Sequence, residues 1–393
     1  MIEHEAKRNA ADDRIRVLHI ITGLDLGGAE TFLYNLAISL SQRVDSRILS
    51  LSAGGSMVQR FQGAGMTVMQ LGLKGRMGLL RIPAAAIKIG RMVRGWRPQV
   101  IQGWLNHGNV AATLVRERYA PSSGLIWSIR QSIYDIGVEK PGTQRAIRLQ
   151  VRFSSKPDAI ICNSSCAKEQ LMHLGFAKKA LCVIPNGFDT MKFRPSVAAR
   201  SKMRALIGAT EEDFLVGMVA RLHHLKDYPT FLRAVSLAAS SIPRLKVVCI
   251  GPGVAAPTSP LRALSGELGL EGRCTLLAEK ADMESVYPGL DLLCLTSLEE
   301  GFPNVIGEAM ACGVPCVATN VGDTAKIIDD TGTVVTPGDP QSVSRAIVDQ
   351  ARLSADVRNE LAERARARIV RLYSMAGIAQ QYMATYADQA DQG

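Results

Sequence analysis

Residues 296–318 read TSLEEGFPNVIGEAMACGVPCVA and carry the signals that decide the fold. They continue a short apolar run, LDLLCLT (residues 290–296), which is typical of a buried strand in a parallel sheet covered on both faces. Helical spacing begins at Pro303, which fits the first helical position because proline has no N–H to leave unpaired. Gly313 and Pro315 predict the helix end. Strand, loop and helix in this order are the unit of a doubly wound α/β domain.

The start of this predicted helix favours an anion, because a first helical turn presents unpaired N–H groups and partial positive charge. The candidate amide donors are Gly301, Phe302, Asn304 and Val305. Glu300 lies in the entry loop and Glu308 lies inside the helix, where its carboxylate can accept hydrogen bonds from sugar hydroxyls. On these residues alone, an ordinary strand–loop–helix unit with two solvated glutamates explains the pattern equally well.

The segment from Glu300 to Pro315 resembles glycosyltransferase family 4, the retaining, nucleotide-sugar-dependent enzymes with the GT-B fold. It carries every fixed position of the family signature E-G-F-P-x-x-x-x-E-A-M-A-x-G-x-P. The resemblance implies that Glu300 approaches the donor sugar and that Glu308 binds the ribose hydroxyls. It also implies an α/β protein of two Rossmann-like, doubly wound domains facing across a cleft, with a C-terminal helix crossing back to the first. It extends over about residues 15–388 and is weakest between 54 and 155.

Length and composition agree with a two-domain soluble enzyme. The chain has 393 residues, 47% hydrophobic and 21% charged. No apolar run approaches the roughly 18 residues of a membrane span, and the charged N-terminus lacks the apolar core of a signal peptide. The eight cysteines lie mostly in strand-like contexts and form no ligand pattern with the six histidines. We therefore expect reduced thiols, a cytoplasmic location, and no metal or other cofactor.

The positive charge is concentrated in the first half of the chain. Residues 1–187 hold 25 lysines and arginines against 12 acidic residues, whereas residues 188–393 hold 21 against 24. Residues 79–97 form a basic amphipathic stretch. It is interpreted either as a core helix with a solvated basic face or as a surface helix that touches anionic lipid headgroups. A nucleic-acid partner is not expected, because no nucleic-acid-binding motif accompanies the charge.

The first strand, residues 15–24, leads into a loop that contains Gly27 and Gly28. These glycines allow close approach of a ligand, or a tight turn that needs glycine dihedrals, or both. The resemblance places them near the donor diphosphate and the acceptor. The predicted strand at 100–104 is followed by His107, and the predicted strand at 124–130 ends in Arg130. Ligands of open α/β sheets bind beyond such strand ends. Many family members have a histidine where this chain has Arg130, so both residues are candidate acceptor or sugar contacts.

Two further segments complete the resemblance. Residues 185–189, PNGFD, resemble the family's domain junction. This predicts an acceptor domain at 1–187, a donor domain at 188–372, and a C-terminal helix at 373–393 that completes the first domain. The amphipathic pattern of that helix extends over 372–389.

Arg221 and Lys226 match the family's R-x-x-x-x-K pair, which grips the donor diphosphate. Two cations suit a diphosphate leaving group when no metal is bound, because negative charge grows on it as the glycosidic bond breaks. Arg221, Lys226 and Glu300 are therefore the candidate catalytic residues.

The predicted function is retaining transfer of a hexose or N-acetylhexosamine from a nucleotide-diphosphate sugar to a glycan or lipid-linked acceptor, with a UDP-sugar as the first candidate donor. The predicted setting is cell-surface polysaccharide synthesis, in the cytoplasm or peripherally on the cytoplasmic face of a membrane. Two alternatives stay open: a sugar-nucleotide hydrolase or epimerase on the same fold, and a non-catalytic nucleotide-sugar-binding protein. A Rossmann oxidoreductase is disfavoured, because the glycine turn after residues 245–250 lacks the third glycine of a dinucleotide fingerprint.

Overall fold

The computed structural model describes residues 13–73, 80–131 and 136–391. Contacts divide the chain into two compact units. Unit 1 comprises Met1–Gly187 and Met375–Gly393, and unit 2 comprises Phe188–Ser374. The charged N-terminal residues 1–12 lie outside the described part.

Unit 1 contains a parallel sheet of seven strands covered by helices. Its strands are β1 (Ile15–Ile21), β2 (Val44–Ser50), β3 (Thr67–Gln70), β4 (Val100–Trp104), β5 (Gly124–Ile129), β6 (Ala159–Cys162) and β7 (Leu181–Val183). Its helices before the domain junction are α1 (Gly28–Ser39), α2 (Val58–Gly63), α3 (Ile82–Trp96), α4 (Leu105–Tyr119), α5 (Pro141–Phe153) and α6 (Ser165–His173). The strand order is β3-β2-β1-β4-β5-β6-β7. Alternate residues of β1 enter separate apolar clusters, Val17 and Ile21 in one and Leu18 and Ile20 in the other, as expected for a sheet buried on both faces.

Unit 2 repeats this plan with six parallel strands. Its strands are β8 (Phe214–Val219), β9 (Leu245–Ile250), β10 (Cys274–Leu277), β11 (Leu292–Leu295), β12 (Cys316–Thr319) and β13 (Thr333–Val335). Its helices are α7 (Val197–Leu206), α8 (Tyr228–Ala239), α9 (Pro260–Glu267), α10 (Asn304–Ala311), α11 (Thr324–Ile328), α12 (Pro340–Arg352) and α13 (Ala355–Tyr373). The strand order is β10-β9-β8-β11-β12-β13. In each sheet the strand order reverses next to the first strand of the unit, β1 or β8. Each unit therefore has, at the carboxyl ends of its strands, the crevice where doubly wound folds bind ligands.

The helix of the opening stretch starts one residue later than its sequence predicts. Pro303 is the N-cap of α10, with φ −75° and ψ 97°, and the first helical residue is Asn304. The extended ψ of Pro303 lets its carbonyl accept a hydrogen bond from the Ile306 amide, at 3.2 Å, while the chain still belongs to the entry loop. Proline therefore ends the loop here and does not occupy the first helical position.

The predicted C-terminal helix is interrupted, which corrects the single helix expected at 372–389. Helix α13 ends at Tyr373, Ser374 is extended (φ −64°, ψ 141°), and α14 (Met375–Ala390) follows. The break forms because Phe188 donates its N–H to the Tyr373 carbonyl at 2.8 Å and pairs with Ser374 as an isolated β-bridge. Helix α14 then packs in unit 1, where its buried residues join the cluster that contains β1 and β4.

Candidate active site

The loops that follow β8 and β11 are bonded to each other in unit 2. The Thr296 hydroxyl, just after β11, donates to the Asp227 carbonyl at 2.9 Å, and the Leu298 amide donates to the Leu225 carbonyl at 2.8 Å. Lys226 pairs directly with the Oε1 atom of Glu300. The Ser297 hydroxyl donates to the same oxygen at 2.7 Å. The structure thus brings together two residues that lie 74 positions apart in the chain.

Arg221 lies in the same loop after β8 and is exposed. The loop is held by the adjoining turn after β9, since the Leu222 amide donates to the Pro252 carbonyl at 2.8 Å. Gly251 in that turn has φ 151°, and a Cβ atom there would collide with the Ala220 carbonyl. This glycine therefore has a packing function: it lets the second loop approach the strand end that carries Arg221.

The N-terminal end of α10 is closed by the segment after β12. The Asp323 amide donates to the Gly301 carbonyl at 3.0 Å, and Gly322, with φ 57°, lies so close that a Cβ atom would collide with the Glu300 carbonyl. Asn304 and Val305 form the first turn of α10, where the helix dipole favours an anion.

Phe302 contributes to the core as well as to this loop. Its ring is buried in the apolar cluster of unit 2 and stacks on Phe188 with 6.2 Å between the ring centroids. Only the Phe302 backbone therefore remains a candidate for the predicted donor contact. For Gly301, whose carbonyl is bonded to the Asp323 amide, the amide is the remaining candidate.

Glu308 faces a partner that the sequence pattern did not indicate. The buried Tyr287 hydroxyl donates to Glu308 Oε2 at 2.7 Å. Burial raises the pKa of Glu308 to about 7, although the hydrogen bond from Tyr287 opposes the rise by stabilising the carboxylate. Tyr287 lies just before the apolar run that predicts β11, and only its aromatic character in that position hinted at burial. Glu308 is thus placed where small changes of pH alter its charge.

The glycines of the first loop in unit 1 are not required by their dihedral angles. Gly27 is the N-cap of α1 with φ −161° and ψ 172°, an extended conformation open to any residue. Neither Gly27 nor Gly28 has positive φ, so the prediction of a turn needing glycine dihedrals is wrong. A Cβ atom at Gly27 would instead lie 2.5 Å from the Glu30 carboxylate, which folds back over the helix start. The assignment of both glycines to the donor stays a prediction.

Arg130, at the end of β5, is surrounded by aromatic and neutral polar groups. Its guanidinium carbon lies 3.6 Å from the centroid of the Phe32 ring. One terminal nitrogen donates to the Tyr382 hydroxyl at 2.9 Å, and the other donates to the side-chain oxygen of Asn186. His107 is exposed in the first turn of α4 and takes no part in these contacts. Among the described residues, no contact thus joins the two candidate acceptor residues.

The described residues contain neither a metal-binding cluster nor a membrane-spanning helix. Over 13–73, 80–131 and 136–391, no three or more His, Cys, Asp and Glu side chains are grouped so that they could hold a metal ion. In the same ranges, no helix combines the length and apolar character needed to cross a bilayer.

Comparison with known proteins identifies both units. The family model for glycosyltransferase family 4 matches residues 26–192, and the model for glycosyl transferases group 1 matches residues 213–352. The first half of the chain thus matches a glycosyltransferase family 4 domain, and the second half matches a glycosyl transferases group 1 domain. The D-inositol 3-phosphate glycosyltransferases of Mycobacterium marinum and Mycobacterium tuberculosis are each 31% identical to this chain over 238 residues, which is 58% of its length. The match spans about half of those relatives, 50% and 48% respectively.

Solved structures confirm the predicted GT-B fold. The Anabaena protein HepE, crystallised with UDP, has a TM-score of 0.81 at 23% identity and covers 95% of this chain and 100% of its own. A glycosyltransferase from Rickettsia africae has a TM-score of 0.82 at 15% identity, covering 97% of this chain and 100% of its own. At these identities the likeness establishes the fold and not the substrates.

Proposed function

We propose that this chain is a family 4 glycosyltransferase that transfers a hexose or N-acetylhexosamine from a UDP-sugar to a glycan or lipid-linked acceptor, with retention at the anomeric carbon. The observation that carries the proposal is the ion pair of Lys226 with Glu300, beside the N-terminus of α10. Lys226 comes from the R-x-x-x-x-K pair and Glu300 from the signature that starts with it. Cation, carboxylate and helix dipole then meet at the strand ends of unit 2. That combination suits a sugar attached to a diphosphate.

In the proposed reaction, Arg221 and Lys226 stabilise the diphosphate as it leaves, and the α10 amides donate hydrogen bonds to its oxygens. Stabilisation of a charge that grows in the transition state accelerates the chemical step, whereas equal stabilisation of the bound donor does not. Glu300 holds the sugar, and its bond to Lys226 keeps the ammonium group close to the breaking bond. The Glu308 carboxylate accepts hydrogen bonds from the ribose hydroxyls. Because the two cations supply the positive charge, we propose that no metal is required.

The donor assignment is supported by two comparisons. HepE, which shares the fold, was crystallised with UDP and with UDP-glucose. The mycobacterial relatives are named as glycosyltransferases for D-inositol 3-phosphate. Together they support a nucleotide-sugar donor for this chain and leave its acceptor to be found.

We further propose that unit 1 attaches reversibly to anionic membranes through α3, in a role in cell-surface glycan synthesis at the cytoplasmic face. Ala85, Ile89 and Val93 of α3 are buried, so part of its apolar set does pack against the sheet. In contrast, Leu80 and Ile87 are 78% and 56% exposed. The exposed basic residues of the same stretch are Arg81, Lys88, Arg91, Arg94 and Arg97. Exposed apolar and basic groups on one helix and the residues next to it favour an anionic interface. Residue 79 of the predicted stretch lies outside the described residues.

The function is tested by variants of the diphosphate clamp. A thermal-shift screen of nucleotide sugars with the full chain first selects the donor, because a ligand that binds the native state raises its melting temperature. We then expect Arg221→Ala and Lys226→Ala each to lower the transfer rate roughly ten- to hundredfold, since a charge-assisted hydrogen bond is worth about 1.5–3 kcal/mol. Arg233→Ala, which removes an exposed arginine of α8, is the matched control and should keep full activity.

Three outcomes would contradict the proposal. Full activity in both clamp variants, at unchanged melting temperature, would refute the roles of Arg221 and Lys226. Release of UDP at an equal rate with and without every acceptor tried would favour the hydrolase alternative. Stabilisation by a nucleotide sugar with no turnover would favour the binding protein.

A further inference from the structure

Arg130 is a cation held in an unusually neutral setting. Its hydrogen bonds go to a phenol and a carboxamide, and its planar group lies over Phe32 with Trp104 5.9 Å away. No described carboxylate forms an ion pair with it, and its Nε–H makes no hydrogen bond within the described residues. Burial lowers the pKa of Arg130, yet arginine stays protonated in proteins. The positive charge is therefore present, and the side chains that the structure describes neutralise it only in part.

A charge in this setting destabilises the folded state unless another group offsets its loss of hydration. Removing an ion from water is costly, and the offset normally comes from an opposite charge with good geometry. The ring of Phe32 and two neutral oxygens offset only part of this cost. An uncharged side chain could bond Tyr382 and Asn186 with less desolvation, so an additional partner for the guanidinium is indicated.

The position of Arg130 identifies where that partner would come from. Arg130 directly follows β5 and Asn163 directly follows β6, at the edge where doubly wound sheets bind ligands. Asn163 is buried, and its side-chain nitrogen donates to the Arg130 carbonyl at 3.4 Å. Its side-chain oxygen Oδ1 is buried and has no hydrogen-bond partner in the described structure. Within the described residues, a cation that lacks an ion-pair partner and a buried acceptor that lacks a donor thus adjoin at one strand edge.

We infer that Arg130 and Asn163 form a recognition site for an acceptor that carries an oxyanion, a phosphate or carboxylate group, next to a hydroxyl. The guanidinium fork binds the oxyanion, and Asn163 Oδ1 accepts from the hydroxyl. This rests on the proposed function, since it names the class of acceptor for that transfer. The charge of unit 1 agrees with it: residues 1–187 carry 25 basic against 12 acidic residues, which attracts anionic ligands.

The test measures binding of simple oxyanions to the full chain by thermal shift, with and without UDP. The probes are glycerol 3-phosphate, its acylated form lysophosphatidic acid, and glucuronate, with glycerol as the neutral control. We expect wild type to be stabilised by at least one anionic probe and not by glycerol. We expect Arg130→Gln to weaken that binding roughly ten- to hundredfold. Arg118→Gln is the matched control, because Arg118 also stacks on an aromatic ring (5.6 Å from the Tyr119 centroid) but is exposed.

The readout is the increase in melting temperature caused by the probe, which a purely structural role of Arg130 would leave unchanged. Equal increases in wild type and in Arg130→Gln, or none in wild type with any anionic probe, would overturn the inference. An Arg130-dependent response to lysophosphatidic acid alone supports the site and assigns it to a lipid-borne phosphate, while a response to glycerol 3-phosphate supports it for a soluble one. If Arg130→Gln does not fold, the Nε–H NMR signal of Arg130 decides: it must shift when the probe is added to wild type.

UDP separates this inference from the proposed function. UDP should stabilise Arg130→Gln as much as wild type, because Arg221 and Lys226, the proposed diphosphate clamp, lie in unit 2 and Arg130 is not among the proposed donor contacts. If UDP acts on both while no anionic probe depends on Arg130, the acceptor site is refuted and the transferase proposal stands. If UDP acts on neither while the anion response depends on Arg130, the transferase proposal fails and the anion site stands.

Discussion

Glu308 shows how the fold sets the chemistry of a single residue. In the unfolded chain its pKa is near the ordinary 4.5, and in the folded chain burial raises its pKa to about 7. The folded state therefore favours the protonated form. The stabilisation that comes from this preference is complete below about pH 4.5 and is lost as pH rises through about 7. The difference amounts to at most about 3 kcal/mol, from 1.36 kcal/mol per pKa unit.

The charge of Glu308 predicts a pH dependence of donor binding. We expect affinity for UDP-glucose to rise up to about tenfold between pH 6 and pH 8, because the carboxylate that accepts ribose hydroxyls forms over that range. UDP-glucose is the right probe, since its diphosphate diester does not titrate there. Calorimetry measures the affinity at each pH. Glu308→Gln should show a flat profile, and the same slope in that variant would show that another group titrates.

The same ionisation predicts how stability depends on pH. The free energy of unfolding of wild type, relative to Glu308→Gln, should fall as pH rises from about 4.5 to 8, since only the wild-type carboxyl loses its preferred proton. Urea denaturation at several pH values measures the difference. Parallel curves for the two proteins would contradict the raised pKa.

At the scale of elements, α10 depends on a residue that helix propensity disfavours. Gly307 is buried in α10, and a Cβ atom there would collide with the Phe188 ring. Phe188 also forms the β-bridge to Ser374, the last residue of unit 2. One residue therefore packs its aromatic ring on α10 in the candidate site while its backbone pairs with the end of unit 2. Glycine serves here to bring a helix against an aromatic ring.

We predict that Gly307→Ala destabilises the protein by about 1–3 kcal/mol through overpacking, although alanine is the better helix former by about 1 kcal/mol. Denaturant unfolding measures the change. The matched control is Gly95→Ala in α3, where a Cβ atom meets nothing within 4 Å; it should be neutral or stabilising. Adding Phe188→Ala should remove most of the penalty of Gly307→Ala, and strict additivity of the two would refute the clash.

Helix α3 predicts binding to anionic vesicles. Replacing Arg91, Arg94 and Arg97 by glutamine should weaken binding roughly hundredfold at low salt, since each basic residue near an anionic surface contributes about 1 kcal/mol. Cosedimentation with phosphatidylserine-containing liposomes measures it. The control variant removes the same charge from exposed arginines of unit 2. It replaces Arg345, Arg352 and Arg371 by glutamine. Absence of binding by wild type, or equal loss in both variants, would contradict a specific role for α3.

At the scale of the whole molecule, the clamp predicts transfer without a divalent cation. Arg221 and Lys226 are carried on one loop and supply two positive charges where the diphosphate is proposed to leave. We expect the initial rate to be unchanged in excess EDTA, with a metal-dependent transferase in the same buffer as proof of chelation. A rate that falls and is restored by Mg²⁺ or Mn²⁺ would show that the two cations do not suffice.

Much of the architecture follows from local sequence. Apolar runs separated by loops and helical patterns predict a parallel α/β fold, because a strand buried on both faces must be continuously apolar. The Glu300–Pro315 motif and the Arg221–Lys226 pair are also local, so their place at strand ends follows once the strands are recognised. The predicted strand at 100–104 matches β4, and the others are shorter by a few residues at their ends.

What the tertiary structure alone decided involves residues far apart in the chain. The bond from Arg130 to Tyr382 joins positions 252 apart, and the pair of Tyr287 with Glu308 depends on how β11 and α10 pack. The helix break at Ser374 likewise depends on its pairing with Phe188. The sequence of residues 372–389 gives no sign of that partner. Burial and hydrogen-bond partners determine the charge of an ionisable group and the residue at which a helix ends. Both burial and partners depend on which residues pack nearby in the folded chain. A local pattern can place a residue at a strand end, but only the fold determines what surrounds it.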